Sequence, residues 1–198
     1  MPLDLAGYME NLKVIRTFVA VTLDEELRHR ISDVQERAMK LASGVKWVSP
    51  ANFHVTLKFL GDVRRDKLSF VQAAIDDVAG KLTAFDLSVR GMGVFPTPRR
   101  PRVIWVGVEE GREQLVALAK AVEDRLVEAG FEKEEKPFRS HITIGRVKES
   151  KPVEGLDEIE AGDLGVQRVA SIHVMESVLR PGGPSYTPLS AHSLIADR

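Results

Sequence analysis

No cysteine occurs in the 198 residues of this chain. That excludes disulfide staples, thiolate nucleophiles and cysteine-bound zinc together, and it suits a reducing compartment, so a cytoplasmic location is expected. Neither sign of charge is in excess: 28 basic and 29 acidic side chains leave a net charge of -1. A general duplex-binding protein carries a strong basic surplus, so any nucleic-acid contact here must be local. No apolar run approaches the roughly 20 residues of a membrane span, and no membrane partner is expected. The start, "MPLDLAGYMENLK", lacks the basic and apolar regions of a secretory signal. What remains, 43% hydrophobic and 29% charged, is ordinary for a globular chain, long enough for one sizeable domain or two small lobes sharing an interface.

Apolar periodicity alternates along the chain between the spacing of strands and that of helices. "LKVIRTFVAVTL" reads as a strand with Ile15, Thr17, Val19 and Val21 on one face and Arg16, Phe18 and Ala20 on the other. A helix from about Asp24 carries Leu27, Ile31, Val34, Ala38 and Leu41 as its stripe, with Gly44 expected to close it. A second helix is expected over 66–80, strands near 84–94 and 102–108, and a third helix over 112–129 ended by Gly130. After a loop over 148–165, "QRVASIHVMESVLR" and "SYTPLSAHSLI" read as two more strands around a "PGGP" turn. The pattern implies an α+β protein of two similar lobes, with mainly antiparallel sheets lining a central cleft and helices outside. Residues 1–12 read as an N-terminal arm and 13–198 as one bilobal domain.

Two short stretches carry the chemistry. In "NFHVTLKFLG", Phe53, Val55, Leu57 and Phe59 alternate with His54, Thr56 and Lys58. In "SHITIGRV", His141 and Thr143 alternate with Ile142 and Ile144 in the same way, 87 residues later (141 minus 54). At spacing i and i+2 both polar side chains of each strand share a face. Each strand therefore offers an imidazole that titrates near neutral pH and a hydroxyl that donates to an anion. Two facing pairs supply a base for the attacking oxygen, an acid for the leaving oxygen, and donors for the phosphoryl oxygens of a phosphodiester. A lone histidine on a strand is usually a bland structural residue; two copies, each followed by a glycine (Gly61, Gly145), are much harder to dismiss.

The pair "HVTL" and "HITI" resembles the two signature motifs of the two-histidine (2H) phosphoesterase superfamily. "RTFVAV", "WVSPANFHVTLKFLGDV", "GVFPTPRRPRVIWVGV" and "FRSHITIGRVK" resemble the RNA 2',3'-cyclic phosphodiesterases, also known as LigT-type 2'-5' RNA ligases, over roughly residues 14 to 195. The resemblance implies a bilobal, pseudo-twofold, metal-independent hydrolase of RNA processing that opens 2',3'-cyclic phosphate ends to 2'-phosphates. It implies His141 as the base, His54 as the acid, and Thr56 and Thr143 as phosphate holders. Some such enzymes join tRNA halves through a 2'-5' bond at the same site, with a ribose hydroxyl replacing water. Arg146 would be a further phosphate or ribose contact, although simple alternation puts it opposite His141, so a turn or bulge at Gly145 is required. Arg16 and Phe18 share a face of the first strand, where Phe18 either stacks on a base or ribose or serves as a core aromatic. A monomer is expected, with RNA ends as partner and no cofactor.

Other features are weaker. Lys58 shares a face with His54 and Thr56 by alternation, near the phosphate or in solvent. The cluster "PTPRRPR", with Arg99, Arg100 and Arg102, is either a local RNA contact or a solvated turn. His29, His173 and His192 read as structural or surface residues. A metal site is disfavoured, because no acidic residue accompanies either motif strand at ligand spacing. The open alternatives are a nucleotide or RNA-end binding module on the same fold, and a phosphodiesterase for a small substrate such as ADP-ribose cyclic phosphate.

Overall fold

A computed structural model describes residues 13–149, 151–156 and 158–197, so the arm expected over 1–12 lies outside the described residues. In chain order the described elements are β1 (Val14–Thr22), α1 (Glu25–Leu41), β2 (Val45–Trp47), β3 (His54–Arg64), α2 (Leu68–Ala79), β4 (Phe85–Phe95), β5 (Val103–Val108), α3 (Arg112–Glu128), β6 (His141–Val147), β7 (Asp163–Val169), β8 (Ser171–Arg180) and β9 (Gly183–Ser193). They form two sheets, ordered β3-β1-β8-β9 and β2-β6-β5-β4-β7. Every strand pair is antiparallel. The architecture is α+β and bilobal, each lobe built on one sheet.

Local chemistry sets the helix ends. The Asp24 carboxylate accepts from the Leu27 N–H at 2.7 Å, and Glu25 and Glu26 follow in the first turn, where the helix dipole favours acid. Helix α1 stops at Leu41, closed by the Ala42 N–H donating to the Ala38 carbonyl at 2.8 Å. Gly44, expected as its terminator, instead uses a positive φ of 71° in the turn into β2. Helix α1 packs on β7 of the five-stranded sheet, while α2 and α3 pack together on the four-stranded sheet.

A single hydrophobic cluster joins both lobes. It takes Val19 and Val55 from one sheet, Ile142 and Ile144 from the other, and Ile31, Ile75 and Val122 from the three helices. Fully burying a side chain of this kind is worth roughly 1.5–3 kcal/mol. Ile142 and Val55, both at 0% exposure, therefore fix which face of each motif strand looks away from the core. The opposite face of β1 carries a smaller cluster of Phe18, Ala20 and Met175, with Tyr186 packed on it.

One expected strand is two. "QRVASIHVMESVLR" divides at Ala170: β7 pairs with β4 in one sheet, whereas β8 pairs with β1 and β9 in the other. Where the chain crosses between lobes its alternation slips by one residue, the buried positions passing from Gln167 and Val169 to Ile172 and Val174. Strand β2, three residues long, carries no periodic signal of its own.

Candidate active site

The two motif strands are held the same way. A short 3-10 turn, Pro50–Asn52, leads into β3, and the Asn52 carbonyl lies 2.7 Å from His54 Nδ1. At β6, the Arg139 carbonyl lies 2.6 Å from His141 Nδ1. A carbonyl oxygen only accepts, so in each ring Nδ1–H is the donor and Nε2 is left as the nitrogen that exchanges protons. The anchor comes from residue i−2 in both cases. His54 Nε2 also lies 2.9 Å from the Thr56 hydroxyl. No equivalent bond joins Thr143 to His141 among the described residues. Strands β3 and β6 touch across the lobes, and the charge of His141 is felt at His54. The structure thus brings His54, Thr56, His141 and Thr143 to facing strands, as the spacing implied.

Arg146 reaches the same place through a bulge. Strand β6 pairs Trp105 with Thr143 and Ile104 with Gly145, leaving Ile144 as an extra residue. Cross-strand partners share a face, so Val103 opposite Arg146 and Trp105 opposite Thr143 put Arg146 on the histidine face. Gly145 is needed at the step, because a Cβ there would meet Val45 at 2.9 Å and Trp47 at 3.0 Å. Gln35, buried on α1 at 3% exposure, donates from Nε2 to the Ile144 and Val48 carbonyls, both at 2.7 Å, and fastens the bulge. The positive charge of Arg146 acts on both histidines and on Tyr186.

A second bulge overturns an expectation. In β3, Val19 pairs with Lys58 and Ala20 with Thr56, so Leu57 is the extra residue. Beyond it the alternation reverses. Lys58, expected beside His54, turns into the core at 2% exposure, where Nζ donates to Glu123 Oε2 at 2.6 Å and to the Glu132 carbonyl at 2.8 Å. Phe59, expected in the core, turns out to the cleft face at 58% exposure. A buried ammonium is tolerated only with such partners, since an uncompensated buried charge costs several kcal/mol.

Aromatic rings flank both histidines. Phe18 lies 5.0 Å from the His54 ring and Tyr186 lies 5.2 Å from it, edge-on; Phe95 stands edge-on to His141 at 5.2 Å. Phe18 is 2% exposed, so it buttresses His54 and has no face open for a base. Arg16 is exposed on the same strand face and acts on the Tyr186 phenol. Sequence reasoning misses Tyr186 and Phe95; each touches a histidine that is distant in the chain, and only an aromatic at an alternating strand position hints at them. Arg99, Arg100 and Arg102 are exposed in the β4–β5 loop, which begins next to Phe95. His29 is exposed, His192 is buried between Ser190 and Asp76, and His173 reaches Thr22 at 3.4 Å. Among the described residues, no three His, Asp or Glu side chains gather in a way that could hold a metal ion. No described helix is long and apolar enough to cross a membrane.

Both catalytic candidates have depressed basicity. Burial is the main cause, with Arg146 adding to it, and the anchoring carbonyls partly offset it. Both rings are therefore neutral in the free protein at pH 7. A hydrolysis that needs one proton on the pair should give a bell-shaped kcat/KM profile, with its maximum below the ordinary histidine value of about 6.5. The two limbs belong to the pair rather than to either ring. A bound phosphate anion favours the protonated rings, so the kcat profile should lie at higher pH than that of kcat/KM. Steady-state rates between about pH 4.5 and 9 check this, and a kcat/KM maximum above pH 7 contradicts it. The sign for stability is the same: below about 6.5 the unfolded chain binds protons that the folded rings refuse, so stability falls with acid.

Two antiparallel lobes, each presenting a strand-borne His-x-Thr to a shared cleft, define a two-histidine phosphoesterase. A family model described as LigT-like phosphoesterase matches the chain twice, over residues 21–105 and 106–186, so each copy contains one motif. The chain belongs to this family. It is 38% identical over 184 residues to a Methanothermobacter thermautotrophicus protein named RNA 2',3'-cyclic phosphodiesterase, covering 91% of this chain and 99% of that one. A Thermotoga maritima protein of the same name is 36% identical over 177 residues, covering 88% and 93%. Among solved structures, one from Thermus thermophilus superposes with a TM-score of 0.79 at 30% identity, covering 93% of this chain and 100% of that one. Escherichia coli LigT complexed with NADP+ gives 0.74 at 26% identity, covering 92% and 99%.

Proposed function

We propose that this protein hydrolyses the 2',3'-cyclic phosphate at RNA ends to a 2'-phosphomonoester, by metal-independent acid–base catalysis between His54 and His141. The observation that carries the proposal is the matched anchoring of the two rings, which leaves one Nε2 on each motif strand, that of His54 lying 2.9 Å from the Thr56 hydroxyl, with the charge of Arg146 acting on both rings. The names of the relatives support the substrate class.

His141 Nε2 removes a proton from water as its oxygen forms a bond to phosphorus. The P–O3' bond breaks, and O3' takes the proton held on His54 Nε2. One proton enters the pair and one leaves, so the pair ends with its protonation reversed and is reset by exchange with solvent. Thr56 and Thr143 hydroxyls and the Arg146 guanidinium hold the phosphoryl oxygens as charge builds. Ring strain in the five-membered cyclic ester and a single negative charge let proton transfer suffice. The division of roles follows the family resemblance. With the ribose 5'-hydroxyl of a second RNA strand in place of water, the same ring opening leaves a 2'-5' bond, which extends the proposal to RNA ligation, including of tRNA halves.

An oligoribonucleotide ending in a 2',3'-cyclic phosphate, incubated with the protein in EDTA, should be converted to a product bearing a 2'-phosphate and a free 3'-hydroxyl, read by phosphorus NMR. A 3'-phosphate product would overturn the assignment of the breaking bond. Loss of turnover in EDTA, restored by a divalent metal, would overturn the metal-free mechanism.

A further inference from the structure

The cleft face carries a third imidazole that the reaction does not use, and we propose that His173, with Thr22, Ser171 and Ser193, binds the phosphate on the 5' side of the cyclic-ended nucleotide. The inference rests on the phosphodiesterase reading and on the acid role of His54.

Register puts the four side chains on one surface. Ala20 pairs with Thr56 on one side and with His173 on the other, so His173 lies on the cleft face, two strands from Thr56. Neighbouring strands are about 4.8 Å apart, which separates those two positions by about 10 Å. Thr22, two residues along β1 from Ala20, pairs with His54. On β8 and β9, His173 pairs with Ala191 and Ser171 with Ser193, and positions two apart share a face. No acidic residue occupies this face of β1, β8 or β9, where Arg16 is the charged group.

The donors are uncommitted. The Thr22 hydroxyl lies 3.4 Å from His173 Nδ1. With that hydroxyl donating to Nδ1, the ring proton sits on Nε2, which has no partner among the described residues. Burial, with His192 on the opposite face of the sheet, holds the basicity of His173 below the ordinary histidine value. At pH 7 the ring is therefore a neutral N–H donor. Half-buried Ser171 and exposed Ser193 add hydroxyls that also lack partners among the described residues. An imidazole N–H and hydroxyls with no carboxylate beside them suit an anion, and such groups commonly hold nucleic-acid phosphates.

The proposed reaction sets the direction. O3' takes its proton from His54, and C3' leads through C4' to C5' and its phosphate, while the base leaves from C1' on the other side of the ring. The 5' branch therefore departs past His54, where Thr22 and then His173 follow across the sheet. A nucleoside 2',3'-cyclic phosphate lacks that phosphate, and an RNA chain end has it. The subsite thus favours chain ends over free cyclic nucleosides, whatever the base, because a phosphate contact carries no sequence information.

Adenosine 2',3'-cyclic phosphate and its 5'-phosphorylated form separate the subsite from the reacting centre. Wild type should show the lower KM on the 5'-phosphorylated substrate. His173→Ala should raise that KM roughly 10- to 100-fold, the worth of one hydrogen bond to a charged group, with kcat little changed. The loss should be confined to the 5'-phosphorylated substrate, and His173→Gln, which keeps an N–H donor, should recover part of it. Neither substrate brings a second strand, so this pattern assigns the phosphate of the cyclic-ended strand and not that of an incoming one. Equal losses on both substrates would make His173 a support for His54 through Thr22 and overturn the subsite, as would no loss on either. Calorimetric titration with adenosine 2',5'-bisphosphate and adenosine 2'-monophosphate needs no turnover. Tighter binding of the bisphosphate, lost in His173→Ala, supports the subsite. Equal binding of the two overturns it, and this readout stands even where wild type hydrolyses neither cyclic substrate and the phosphodiesterase reading fails.

Discussion

His54→Ala and His141→Ala are each expected to lower kcat on an RNA 2',3'-cyclic phosphate by about 10²–10⁴-fold, the usual worth of a positioned proton-transfer group. The two losses should not add. Once either ring is gone, the remaining imidazole serves only half of a step whose two proton transfers occur together, so the double variant should sit close to the worse single variant. KM should move far less than kcat, because the threonines and Arg146 still hold the anion. Neither histidine packs into the main core: Val55, Ile142 and Ile144 do that from the opposite face. The variants should therefore stay folded, which circular dichroism checks. Losses that multiplied across the double variant would mean that the rings act in separate steps.

Arg146→Ala is the second large effect. Removing one preorganised donor to a developing phosphoryl charge commonly costs about 10²–10³-fold in rate. A signature distinguishes this from simple damage. Arg146 lowers the basicity of His54 and of His141, so its removal should raise both and shift the kcat/KM profile toward higher pH. Arg146→Lys keeps the charge and should keep the pH profile while recovering only part of the rate, because an ammonium lacks the planar fork that grips two oxygens. A rate loss with no movement of the profile would place Arg146 away from the histidines.

Two bulges decide how much of this site is legible in the sequence. Over 54–56 and 141–143 the strand period is unbroken, so reading alternate residues as one face places both His-x-Thr pairs correctly. The β6 bulge has a glycine beside it: alternation alone puts Arg146 opposite the histidine, the family resemblance requires a bulge, and Gly145 marks where it falls. The β3 bulge centres on Leu57, an ordinary apolar strand residue with no mark of irregularity, so alternation assigns Lys58 and Phe59 to the wrong faces. What exchanges them is tertiary: a carboxylate on α3 and a backbone carbonyl at residue 132 that receive the lysine inside. The crossing of the chain at Ala170 leaves only a one-residue slip of phase, buried positions passing from Gln167 and Val169 to Ile172 and Val174, and a reading of the stretch as one strand passes over it. Phe18 falls on the correct face, but its burial depends on Tyr186 and Phe59 closing over it. The α+β, two-lobed architecture survives all of this because it rests on the order of elements and not on any single register.

The division of labour between the rings is tested most directly with bis(p-nitrophenyl) phosphate, whose p-nitrophenolate leaves without needing a proton. Rates for wild type, His54→Ala and His141→Ala on this substrate should separate the acid from the base. With His54 as the acid and His141 as the base, His54→Ala regains most of the wild-type rate while His141→Ala stays impaired; equal impairment of both variants would contradict a paired acid and base.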